Sequence, residues 1–466
     1  MSDNYDVAII GGGPGGYAAA LYGASAGLNI AMIEMNKIGG TCLHVGCIPA
    51  KELLETASAY RHVMHAKEFG ILAEKPEIDW SITMTRKQKV IDQLTKGVTG
   101  LLKGRKVTVL DGTGTLHPGK TVKVTGGQSG DVELTADNII LASGSVPRTI
   151  PGFDIDGTLV VTSDELLSIK KLPASAVVIG GGAIGCEFAS MMADLGTKVT
   201  ILEALPKIIP GVDKDITQVV LKSFKQRGID VRTGVSVTGH KPNDDGTSTS
   251  VQFGDGESIE VDLVVMSVGR RPLSETLGLD KSQSKVKVSD RGFVEVDEWC
   301  RTGEPGVFAV GDLIATPQLA HVGFAEAIVA IKDILGEDPV PVDYQNVPWC
   351  IYCHPEVAFV GLSEEAAKEA GYEVDVSKHR YSGNGRALIV GETDGMVKII
   401  AEKGSGRLLG VHMAGPWVTE QLGSGYFAVN WEATAEEVGH LIQPHPTMSE
   451  LYGESVLALT GRSLHG

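Results

Sequence analysis

Hydrophobic positions recur along the chain in one order: an unbroken apolar run, a cluster of glycines, a stretch of small residues, then a second apolar run. "YDVAII" has the length and continuity of a parallel strand covered on both faces. "GGGPGG" interrupts it, "YAAALYGASAG" offers small residues for a closely packed helix, and "LNIAMIE" reads as a second strand ending on Glu34. The same order returns in "AVVIGGGAIGCEFASMMADLGTKVTILE", which ends on Glu203. Between and after these units the period changes. Residues 81–103 place Val90, Leu94, Val98 and Leu101 on one predicted helix face. "KVTVLDGTGTLHPGKTVKVTG" and "DVELTADNIILASG" read as a β-meander turning at glycines, and "HKPNDDGTST" as a polar turn inside the second unit. From about Val347 strand, helix and strand patterns follow without another glycine turn, which predicts a separate C-terminal domain.

The glycines carry the first chemistry. Gly11, Gly13 and Gly16 fit G-x-G-x-x-G between a strand and a helix, and Gly180, Gly182 and Gly185 repeat it. Gly11 and Gly180 are 169 positions apart, as are Glu34 and Glu203. Such glycines let a pyrophosphate approach the backbone at a helix N-terminus, and the acid ending the second strand accepts hydrogen bonds from a ribose. One copy is a weak signal, because a glycine turn also serves simply to pack a helix on a strand. Two copies with acids at matching positions point to two dinucleotides.

Composition narrows the setting. A chain of 466 residues has room for about three domains. Six cysteines, unevenly spaced, do not make a secreted disulfide scaffold. "MSDNYDVAIIGGG" is not a signal peptide and no run is long and apolar enough to span a membrane, so a cytoplasmic protein is expected. The 41 basic against 58 acidic residues, a net charge of −17, argue against nucleic acid as a partner.

"GGTCLHVGCIPAKELL" then sets Cys42 and Cys47 five apart at a predicted helix start, where two thiols on successive turns come close enough to bridge. Taken alone, the pair is as readily two packing thiols as a redox couple. Together with the neighbouring fingerprint the segment resembles the redox-disulfide signature of the flavin-dependent disulfide oxidoreductases, the glutathione reductase-like family. "TGEPGVFAVGD", ending on Asp312, is similar to that family's second flavin motif. "LASGSVPR" and "SVGRRP" resemble its crossovers between flavin and nicotinamide domains. The motifs stand in the family's order over essentially the whole chain.

The resemblance implies an α/β protein with two Rossmann-like dinucleotide-binding domains plus a C-terminal α+β dimerisation domain. The expected division is an FAD-binding domain from residues 1–149 and, as a second part, 280–346, an NAD-binding domain at 150–279 and an interface domain at 347–466. One FAD per subunit and NAD are the implied cofactors. Gly11, Gly13, Gly16, Glu34, Lys51, Asp312 and Ala320 are assigned to FAD, with Asp312 on the ribityl chain and Lys51 near the flavin ring. Gly180, Gly182, Gly185, Glu187, Glu203 and Gly269 lie on the NAD side, and Glu187 is the family's partner for Lys51. By resemblance Cys42 faces the substrate and Cys47 the flavin. "QPHPTMSE" matches the family's histidine–glutamate dyad as His445 and Glu450, a base for the substrate thiol that would serve the partner subunit's disulfide in a homodimer. Pro446 could follow a cis bond that aims the ring. No metal is expected.

Within the family, Glu203 without a following arginine favours NAD over NADP, although Lys207 is nearby. "LALTGRSLHG" lacks a metal-binding vicinal cysteine pair, and "QLAHVGFAEA" and "YCHPEVAFVGLSEEAAKEAG" resemble the members that oxidise dihydrolipoyl groups more than the glutathione reductases. The implied partners are lipoyl domains of 2-oxoacid dehydrogenase complexes or the glycine-cleavage H protein. The alternative is an NAD(P)H-dependent reductase of another low-molecular-weight disulfide. Non-enzymatic binding to a lipoyl-complex core and thiol-independent quinone reduction are further alternatives. His44, Ala50, Gln443 and "GNGRA" depart from the family's usual Asn, Ser, His and Asn-Ser-Arg-Ala. "CIYCH" matches a haem-attachment pattern, yet it lies in an apolar run, and buried thiols are expected there as at Cys186 and Cys300.

Overall fold

The computed structural model describes residues 4–128 and 130–465. They form two compact units. The first comprises residues up to Glu52, Ser81–Arg148 and Gly269–Tyr344; the second takes Leu53–Trp80, Thr149–Val268 and the chain from Gln345 onward.

In the first unit the strands Thr108–Asp111, Ile30–Glu34, Asn4–Ile10 and Val132–Leu141 lie side by side in parallel. Val307–Ala309 also pairs in parallel with Val132–Leu141. Thr121–Thr125 and Thr113–His117 continue the sheet antiparallel, so three of the predicted meander strands form, while Thr108–Asp111 joins the parallel part instead. The unbroken apolar run of the first strand follows from cover on both faces. Val7 and Ile9 pack with Ala19 and Ala20 of the helix Pro14–Ser25 and with Ala327, Ala330 and Ile331 of the helix Ala320–Ile334. Ala8 and Ile10 point the other way, onto Leu116, Val122 and Val124 of the meander.

The helix predicted at 81–103 spans Trp80–Gly104. Its buried stripe differs from the expected one: Thr83, Lys87, Ile91 and Leu102 are buried, while Leu94 and Leu101 are 41% and 52% exposed. Thr83, Lys87 and Ile91 follow one another at four-residue steps, and burial of Lys87 lowers its ammonium pKa through desolvation. Counting only apolar letters missed that stripe.

The second unit contains a parallel sheet in the order Asp230–Thr233, Lys198–Glu203, Ser175–Ile179, Leu263–Met266, Val160–Thr162. The predicted polar turn joins the antiparallel strands Val237–Pro242 and Thr249–Phe253. Downstream, five antiparallel strands run from Trp349–Ile351 through Glu356–Gly361, Leu408–Gly415 and Met396–Glu402 to Val374–Arg380. The helix Val418–Asn430 contributes Val418, Leu422 and Val429 to the core on this sheet. Among the described residues no helix is long and apolar enough to cross a membrane.

Candidate active site

Both fingerprints fold alike, down to single hydrogen bonds. Gly12 N–H donates to Glu34 Oε2 at 2.7 Å and Asn36 N–H to its Oε1 at 2.7 Å. At the second copy Gly181 N–H donates to Glu203 Oε2 at 2.6 Å and Leu205 N–H to its Oε1 at 2.7 Å. Each acid is therefore held in place by the backbone of the turn beside it. The glycines divide into two kinds. A Cβ on Gly16 would sit 1.8 Å from the Gly11 carbonyl oxygen, and one on Gly185 2.0 Å from that of Gly180, so these residues let helix and turn touch. Gly11 and Gly180 likewise press on the backbone of Ala142 and Ser267.

Helix packing does not explain Gly13 and Gly182. A Cβ on Gly13 would meet only Gly40 Cα, at 3.9 Å, and one on Gly182 nothing within 4 Å. Both precede a twelve-residue helix with no acid in its first turn and no side-chain cap. Open space before uncapped N–H groups suits a pyrophosphate, so these cradles fit FAD and NAD. Gly182→Ala is accordingly expected to leave stability within about 0.5 kcal/mol of the parent while weakening NAD binding about tenfold, by titration. Gly185→Ala, with no room for its methyl, is expected to lower the unfolding midpoint as well.

Asp312 lies in the turn Gly311–Leu313. Its Oδ2 accepts from Ser145 Oγ at 2.6 Å and stands 3.8 Å from Arg270 Nε, which itself donates to Ser145 Oγ at 2.7 Å. Strands Ser145–Pro147 and Arg270–Pro272 pair antiparallel, which brings the two crossover motifs together, and Gly269 accepts from Arg148 N–H beside them. Ala320 opens the helix Ala320–Ile334, whose N-cap residue Leu319 makes no side-chain cap. Further along, Glu326 is fully buried and accepts from Gly311 N–H, Thr316 Oγ1 and Tyr344 Oη at 2.6, 2.7 and 3.1 Å. Burial pushes its carboxyl up to about 7 against those donors. Sequence reading passed over Ser145, Arg270 and Glu326 as functional residues, although all three lay inside quoted segments, "LASGSVPR", "SVGRRP" and "QLAHVGFAEA".

Cys42 belongs to the short helix Gly40–His44 and Cys47 begins the helix Cys47–His65. The structure holds both residues as thiols and places them within hydrogen-bonding range of each other. The hydrogen bond to Cys47, then burial, then the charge on Cys47 raise the Cys42 thiol well above the ordinary range, with Lys51 pulling the other way. In the dithiol form these neighbours therefore favour the protonated Cys42 thiol. Tyr17, missed in the sequence, lies beside the pair: burial first, then charge on Cys42 and Cys47, push its phenol up to about 12. The loop is tightly wound, since a Cβ on Gly40 would fall 2.7 Å from Gly13 Cα. His44, the departure from the family's Asn, bonds through Nε2 to the Ile38 carbonyl at 2.8 Å, and Ala50 is buried.

In the second unit Glu187 is buried on the helix Ala183–Asp194 and accepts from Tyr352 N–H at 2.9 Å. His445 is exposed; its Nδ1 is 2.7 Å from Glu450 Oε1, and the His445–Pro446 bond is cis. Glu450 Oε2 accepts from Thr447 N–H at 2.7 Å. The acid thus fixes which imidazole nitrogen is occupied and leaves Nε2 outward, the arrangement a general base needs. Gln443 packs its side chain over Gly453. Cys186, Cys300 and Cys353 are buried, whereas Cys350 is half-buried on the strand Trp349–Ile351.

Comparison with known proteins fits this geometry. Residues 5–327 match the family model for pyridine nucleotide-disulphide oxidoreductases and residues 347–456 that family's dimerisation domain. The chain is 40% identical to a dihydrolipoyl dehydrogenase of Bacillus subtilis and 39% identical to one of Zymomonas mobilis, covering 100% of both sequences in each case. Among solved structures it is similar to LpdA of Mycobacterium tuberculosis, with a TM-score of 0.91 at 25% identity over 97% of this chain and 99% of that one. It is also similar to the HOCl-induced flavoprotein disulfide reductase RclA of Escherichia coli, with a TM-score of 0.87 at 27% identity over 97% and 99%.

Proposed function

The chain belongs to the pyridine nucleotide-disulphide oxidoreductases and carries a dihydrolipoyl dehydrogenase activity dependent on FAD and NAD; from that premise we propose which residues perform it. The hydrogen bond between the Cys42 and Cys47 thiols, with the Lys51 charge acting on the pair, supports the assignment most directly. In the oxidised enzyme the two sulfurs are joined. His445 Nε2 takes a proton from one substrate thiol, and that thiolate attacks Cys42 Sγ, breaking the Cys42–Cys47 bond and leaving Cys47 as thiolate. The second substrate thiol then attacks the substrate sulfur of the mixed disulfide and displaces Cys42, its proton passing to the Cys42 sulfur as the lipoyl disulfide closes. Two electrons have then passed from substrate to the cysteine pair, and Cys42 holds a proton. FAD, when held by the residues named below, would supply the two-electron relay between the cysteine pair and NAD.

Gly11, Gly13, Gly16, Glu34, Lys51, Asp312 and Ala320 would hold the FAD; Gly180, Gly182, Gly185, Glu187, Glu203 and Gly269 lie on the NAD side. Glu203, turned to a ribose hydroxyl, would repel a 2′-phosphate. Residues 1–149 with 280–346, 150–279 and 347–466 are the working divisions we assign to FAD, NAD and subunit pairing. The dimerisation domain makes a homodimer the working form, with His445 acting on the partner subunit's disulfide. Lipoyl groups on carrier proteins in the cytoplasm are the proposed substrates.

His445→Gln tests the base. Oxidation of dihydrolipoamide by the holoenzyme is expected to fall by about a hundredfold or more. NADH-driven dye reduction, which requires no substrate thiol to be deprotonated, should stay within about twofold. Undiminished dihydrolipoamide oxidation would remove His445 from the mechanism.

A further inference from the structure

The segment "GNGRA", where the sequence departs from its family, leads to a residue that none of the chemistry above uses. Asn384 is buried. Its Oδ1 accepts from Ala387 N–H at 2.9 Å and so caps the helix Gly385–Val390. Its Nδ2 reaches a distant segment, donating to the Thr447 carbonyl at 3.0 Å. Thr447 is the residue whose N–H holds Glu450 Oε2, and its hydroxyl donates to the Pro444 carbonyl at 2.8 Å. A continuous path therefore runs from Asn384 through Thr447 to Glu450 and on to His445 Nδ1.

The near end of that path is rigid. Asn384 N–H donates to the carbonyl of Tyr381, which is fully buried and bonds through its hydroxyl to Gln421 Oε1 at 2.9 Å. A Cβ on Gly395 or Gly415 would come within 2.6 Å of the Tyr381 ring, so the platform has no slack. The far end is different: His445 is exposed, on a loop flanked by Pro444 and Pro446. An exposed catalytic loop holds its geometry only through such attachments.

We propose that Asn384 is a positioning residue for the dyad, tying the 444–450 loop to the Tyr381 platform so that Glu450 stays on His445 Nδ1. The inference rests on His445 acting as the base. Gly385, standing where the family has serine, leaves the tether intact, because both bonds come from the asparagine amide.

Asn384→Ser separates the two bonds, since serine still caps the helix but is too short to reach Thr447. In the flavin-loaded dimer, kcat for dihydrolipoamide oxidation is expected to fall about tenfold with the KM for NAD unchanged. NADH-driven dye reduction should remain within about twofold, which damage to the fold would not allow. Asn384→Asp, which also keeps the cap but sets a carboxylate against the Thr447 carbonyl, should show the same split. Parental kcat in both variants overturns the proposal, as does loss of both activities together or failure of both variants to accumulate as folded dimers. His445→Gln, assayed alongside, separates the failures. If it retains dihydrolipoamide oxidation, the base assignment falls; if it loses it while Asn384→Ser is parental, only the tether falls.

Discussion

Cys42→Ser and Cys47→Ser, made singly in the holoenzyme, are each expected to lower dihydrolipoamide oxidation by about a thousandfold or more. The reason is bond accounting: either substitution removes one sulfur of the only bond the substrate thiolate can break, and a serine oxygen cannot replace it as an electron-pair acceptor. Neither change should unfold the protein, since both residues are only partly buried and serine differs from cysteine by one atom. NADH-driven dye reduction, which bypasses the thiols, should persist in both. Near-parental dihydrolipoamide oxidation in either variant would show that electrons reach the flavin without the pair, and the thiol mechanism would be abandoned.

Lys398→Met is expected to have the largest effect on stability. The ammonium is fully buried and lies 2.8 Å from Asp213 Oδ2, 2.6 Å from Asp215 Oδ2 and 2.7 Å from Glu364 Oε2. Burial alone would lower its pKa, but the three carboxylates hold it above the ordinary lysine value. It joins the strand Met396–Glu402 to the first turns of the helices Lys214–Gln226 and Glu364–Glu369. Methionine fills the space yet leaves the fully buried Asp213 charge without its cation, a loss of about 3–5 kcal/mol. Denaturant unfolding at neutral pH measures it.

The pH dependence has a definite sign. Glu364 is held down to about 2 from its ordinary value of 4.5, by Lys368 first and Lys398 next. Its contribution is present above 4.5 and lost as pH falls toward 2, so the gap between parent and Lys398→Met should narrow in acid. A gap unchanged down to pH 3 would place the cost of the substitution in packing rather than in the ion cluster.

How much was legible depended on whether partners were close in sequence. Strands, glycine turns and terminal acids of both dinucleotide units lay within about thirty residues, where backbone geometry and apolar continuity dictate the outcome. Cys42 with Cys47 and His445 with Glu450 were legible for the same reason, with the family resemblance supplying their roles. The helix at 81–103 was read with the wrong stripe, because apolar letters alone do not show that Thr83 and Lys87 turn inward.

The class of chemistry was written along the chain: two dinucleotide cradles, a dithiol and an acid–imidazole pair, each specified within about thirty residues. What aims and supports them came from folding. Ser145 meets Asp312, Asn384 meets Thr447, and Lys398 meets Asp213 across separations of 167, 63 and 185 residues. Such pairs leave no periodicity to read. A side chain's worth at long range depends on what the folded chain removes from water around it, and that is settled only when the core closes.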